Sequence, residues 1–206
     1  MSITVGQRLT GIKKWLYENA CKGRTMKAEG ERDLEIIYRE PLAKLLLFTD
    51  EAGLPAAEYG APAILVLMKE SGMRDTEKRF DQYNHMKRPK VMGGMLSVQF
   101  VFVTYDPGHR TEKSQAEQKN EEIEPNEEEA YIAALEWAEE TMNKLISLGM
   151  VPGTDLTVSE EDARCGPLMQ YGVLVDRRPL YYAVVECVFG CKVQKINNRQ
   201  TNSLLD

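Results

Sequence analysis

Cysteines, histidines and clustered carboxylates build most catalytic and metal sites, and this chain of 206 residues holds four cysteines and two histidines. The closest pair is Cys187 and Cys191, spaced Cys-x3-Cys within YYAVVECVFGCKV. On a strand the two would share a face about 13 Å apart, at roughly 3.3 Å per residue. A disulfide needs Cα atoms within about 7 Å. A zinc site would need a turn between them, which Val188 and Phe189 oppose. Both therefore read as small apolar residues on a buried strand face. His85 and His109 stand in polar sequence without Cys, Asp or Glu at ligand spacing, and both read as ordinary loop residues.

Motifs that carry chemistry are missing as well. The sequence contains no Gly-x-Gly-x-x-Gly after a strand, no phosphate loop ending in Gly-Lys-Ser/Thr and no Gly-x-Ser-x-Gly elbow. Gly93-Gly94 opens a strand, where a bulge or hairpin entry explains it better than a phosphate cradle. The glutamates near 121–129 lack the apolar surroundings that would raise a general acid's pKa. The expectation is a protein that is not an enzyme and uses neither metal nor cofactor.

Charge is more informative. Residues 69–90 carry seven Lys/Arg against four Asp/Glu, whereas Glu112–Glu129 holds eight Glu and two Lys. Each could be a solvated loop. Alternatively, the two could meet across neighbouring subunits, where complementary patches set register. That reading names Arg74, Lys78, Arg79, Lys87 and Arg88 on the basic side as candidate inter-subunit contacts, with Glu121, Glu122 and Glu124 on the acidic side. The overall charge is −6 and the isoelectric point near 5.2, which gives no support to specific nucleic-acid binding. Neither a stretch of about 20 apolar residues nor the apolar core of a signal peptide is present. The expectation is a cytosolic chain without membrane contact.

The elements that must position these residues follow from periodicity. Val5, Leu9, Ile12, Leu16 and Ala20 recur at helical spacing, so 4–21 reads as an amphipathic helix with Thr4 as N-cap and Gly23 as stop. Residues 23–32 read as loop, Leu34–Tyr38 as a short strand or turn, and Leu42–Phe48 as a helical or extended apolar piece after Pro41. Ala63–Met68 is a strand covered on both faces. In the strand that follows, Leu96, Val98, Phe100 and Phe102 share one face, and Ser97, Gln99, Val101 and Val103 the other. Asn126 and Glu129 resemble a capping box. They open a long helix with Tyr131, Leu135, Ala138, Met142 and Leu145 on its packing face, ended by Gly149. Leu168–Val175, a turn at 176–179 and Leu180–Val193 form a second hairpin, with Ala183, Val185, Cys187 and Phe189 on one face.

The order helix, hairpin, long helix, hairpin predicts an α+β fold: a mixed or antiparallel sheet of two hairpins, with the long helix and the N-terminal helix packed on it. Residues 1–194 read as one domain with arms at 69–90 and 107–126, and 195–206 as a C-terminal tail. Hydrophobic content of 43% and charged content of 28% are ordinary for a folded domain. Neither arm has enough apolar surface to order alone, so both should order on assembly.

PAILVLMKESG, a polar arm, MLSVQFVFVTYDPG, the helix EAYIAALEWAEETMNKLISLG and a returning hairpin together resemble the tail terminator or tail-completion proteins of bacteriophages and phage-tail-like particles. The likeness spans residues 62–193, and the acidic insertion 107–125 departs from the short connection common in that family. The resemblance implies a virion protein without catalytic activity, assembled in the host cytoplasm as a ring, a homohexamer, at the head-proximal end of a tail. There it would cap the tail tube and meet sheath and neck or connector proteins. Alternatives are a neck or head-completion protein, and an intracellular adaptor or inhibitor using the acidic segment. A small enzyme with a site across the sheet is a third.

Overall fold

The computed structural model describes residues 3–29, 37–46, 60–75, 92–106, 127–158, 167–170 and 179–192. Helix α1 spans Val5–Leu16, and its start is fixed as the sequence predicts. The Thr4 hydroxyl accepts from the Gln7 amide at 3.2 Å while the Gln7 side chain accepts from the Thr4 amide at 2.8 Å. Two otherwise orphaned donors are thereby satisfied together. The inner stripe Leu9, Ile12, Trp15 and Leu16 is buried. From Tyr17 to Cys21 the coil widens into a π-turn, a change from the regular helix predicted to residue 21. The wider turn leaves two carbonyls to side chains of the second helix: Ala20 accepts from Trp137 Nε1 at 2.9 Å and Asn19 from Lys144 Nζ at 3.2 Å. Gly23, at φ +77°, then reverses the chain.

Strand β1, Met26–Ala28, pairs antiparallel with β2, Ile37–Arg39. β1 falls within 23–32, expected as loop, because three residues are too few to show alternation. β3, Leu42–Leu46, settles the ambiguous apolar piece as extended. It lies parallel to β4, Ala63–Asp75, with Leu42 opposite Ala63 and Leu46 opposite Leu67. β4 pairs antiparallel with β5, Met92–Tyr105. The register shifts between Met68 and Glu70, and the pairing then runs on to Asp75 opposite Met92. The first seven residues of the predicted basic arm, 69–75, are therefore strand. Helix α2 spans Glu127–Leu148. β6, Pro167–Gln170, and β7, Leu180–Lys192, form the second antiparallel pair. The five strands lie in the order β3-β4-β5-β7-β6, one mixed sheet with a parallel edge.

Alternation divides the sheet as predicted. Leu96, Val98, Phe100 and Phe102 of β5, with Ala183, Val185, Cys187 and Phe189 of β7, join the buried faces of α1 and α2 in the main core. Ala63, Leu65, Leu67, Val101, Val103 and Leu180 make a second cluster on the other face. Ile64 and Val66 of β4 face the main core, so both faces of residues 63–67 are buried, which is why that part of the sequence is a continuous apolar run. The stripe of α2 is rotated from the prediction. Ala130, Ala134, Trp137, Ala138, Thr141, Met142 and Leu145 are buried, while Tyr131 and Leu135 flank them. Three alanines let the helix approach the sheet, and Trp137 fills the remaining space edge-on to Phe102, with ring centroids 5.3 Å apart.

A segment without predicted structure, 150–158, closes the layer. Val151, Leu156 and Val158 are buried. Thr157 and Gly190 exchange backbone hydrogen bonds at 2.8 and 3.0 Å. The predicted cap residue Asn126, the cysteine Cys165, residues 171–178 of the predicted second hairpin and the tail 195–206 lie outside the described residues.

Candidate functional site

Among the predicted contact residues, Arg74 belongs to β4, where its backbone stands opposite Gly93, itself opposite Lys192 of β7. Lys78, Arg79, Lys87, Arg88, Glu121, Glu122 and Glu124 lie outside the described residues, as do His85 and His109. The described strands nevertheless fix where the two charged segments leave and rejoin the fold. The basic segment is rooted at Asp75 and Met92, the start of β5. The acidic segment is rooted at Asp106 and Glu127, just past the end of β5. β5 has 14 residues and at about 3.4 Å per residue is roughly 44 Å long. The two roots therefore occupy opposite ends of the sheet.

The acidic root is held by specific bonds. Thr104 Oγ1 donates to the Ala130 carbonyl at 3.0 Å, joining the end of β5 to the first turn of α2. The Asp106 amide donates to the Pro179 carbonyl at 3.0 Å. The Asp106 carboxylate is 3% exposed and receives Lys27 Nζ of β1 at 3.0 Å. A carboxylate so buried needs such a partner, since an unpaired buried charge is strongly destabilising. In the sequence Asp106 is followed by Pro107 and Gly108, the composition of an ordinary turn, and a partner 79 residues away leaves no local signal.

Two further ion-pair groups tie the helices to loops. Arg8 of α1 donates through Nε and Nη2 to both carboxylate oxygens of Asp155, each at 2.7 Å. This forked pair raises the Arg8 pKa despite partial burial. Glu140 of α2 receives Lys144 and Arg24, both at 2.7 Å, and these bonds, the Lys144 one foremost, hold its carboxyl below the usual range. The Arg24 guanidinium also lies 5.9 Å from the centre of the Trp137 ring. Beside this network an open groove of about 540 Å³ runs between the helices, lined by Trp15, Asn19, Glu140, Asn143, Lys144, Ser147 and Leu148. Sequence reasoning had no means to find it, because its walls come from two helices more than 100 residues apart.

Cys21 and Cys187 are buried thiols and Cys191 is partly buried. Burial pushes the Cys21 pKa up to about 12, and Glu40 adds to that against the pull of Arg24. Burial raises Cys191 too, with Arg8 opposing. Lys44 on the edge strand is lowered by desolvation. Raised thiol pKa values disfavour the thiolate needed for nucleophilic or redox chemistry. Among the described residues no group of three or more His, Cys, Asp or Glu side chains could hold a metal ion, and no helix is long and apolar enough to cross a membrane. Compared with known proteins, the chain matches no family model, no curated protein and no solved structure.

Proposed function

We propose that the chain is a structural subunit of a bacteriophage tail or phage-tail-like particle, forming a six-membered ring at the head-proximal end. There it caps the tail tube and meets the neck. The resemblance over residues 62–193 suggests this role. The observation that carries the assembly is the placement of the charged roots at opposite ends of β5. A closed ring needs two different, complementary surfaces on each subunit. A basic segment rooted at one end and an acidic segment rooted at the other supply that difference, with the opposite charges of one subunit kept apart. Light scattering of the purified chain, together with a protein inventory of purified particles, tests the reading. The expected result is a closed oligomer and a particle-bound subunit; a monodisperse monomer at high concentration, absent from particles, overturns it.

A second reading is an adaptor or inhibitor whose acidic segment engages a basic partner. It is favoured by the rigid base that Thr104, Ala130 and the Lys27–Asp106 pair give that segment. Replacing 107–126 by a short linker separates the two. Intact assembly with loss of a basic partner supports the adaptor, whereas loss of assembly supports the ring.

A further inference from the structure

We draw no further inference here: the strongest candidate, the open groove between α1 and α2 lined by Trp15, Asn19, Asn143, Lys144 and Leu148, is an unpartnered surface, and nothing in the structure shows what covers it.

Discussion

At the position of Gly11 the absence of a side chain has a measurable meaning. A Cβ there would run into the Thr154 methyl group, and Thr154 cannot turn aside because its hydroxyl donates to the Val151 carbonyl at 2.8 Å. Gly11→Ala should therefore cost about 1–3 kcal/mol as overpacking, although alanine is the better helix former. Thr154→Ser removes the methyl group and keeps the hydroxyl, so adding it to Gly11→Ala should recover most of the loss. Urea unfolding of the two single variants and the double variant checks this; additive losses would contradict it. Cys21 makes a second prediction at the same scale. Its folded pKa, about 12, lies above the ordinary thiol value of 9.0. Below pH 9 the thiol is protonated in both states and burial is unopposed. Above it the unfolded chain ionises while the folded one does not, so stability falls as pH rises from 9 towards 12. Urea midpoints between pH 8 and 10.5 should decline, and Cys21→Ala should flatten the decline.

Elements show what local pattern can and cannot reveal. α1, β5 and β7 are plain in the sequence because each repeats its apolar period over enough residues for the face to be unambiguous, and the start of β4 is plain as a continuous apolar run after a proline. α2 is legible as a helix, and its expected face holds Ala138, Met142 and Leu145 correctly. The buried stripe also takes in Ala130, Ala134 and Trp137, while Tyr131 and Leu135 stand only at its flank. β3 was ambiguous because a short apolar run fits a strand or a buried helix alike. β1 was invisible. The long-range ties were also hidden, since Arg8–Asp155, and Lys27–Asp106 at the root of the acidic segment, join residues 147 and 79 positions apart. The anchors at that root predict that the acidic insertion is separable from folding. Because Thr104 and Ala130 bind directly, replacing 107–126 by a short flexible linker should change stability by no more than about 1 kcal/mol. The reason is that loop-closure entropy varies slowly with length. Thermal unfolding followed by circular dichroism measures it, and a collapse of the transition would show that the insertion is part of the core.

For the whole molecule, the sequence supplied the α+β class and the two charged segments, but not their separation, which depends on how the strands are ordered and directed. That separation makes the ring reading testable by charge. Reversing Lys78, Arg79, Lys87 and Arg88 to Glu should disrupt assembly. Reversing Glu121, Glu122 and Glu124 to Lys should do the same, and the combined variant should reassemble. Rising salt should weaken the wild-type assembly and relieve each single-reversal defect, because attraction and repulsion between exposed charges are both screened beyond about 8 Å at physiological ionic strength. Sedimentation velocity at two salt concentrations distinguishes these outcomes, and assembly indifferent to both reversals would remove the electrostatic contact. Finally, the two tryptophans of this chain, Trp15 and Trp137, both lie in the helix-bearing core, and none lies in the cluster on the other side of the sheet. Tryptophan emission, excited at the red edge of absorption where tyrosine does not contribute, is consequently a one-sided signal. It reports whether the helices are seated on the sheet, and a melt recorded by fluorescence follows the loosening of that seam while the opposite face stays dark.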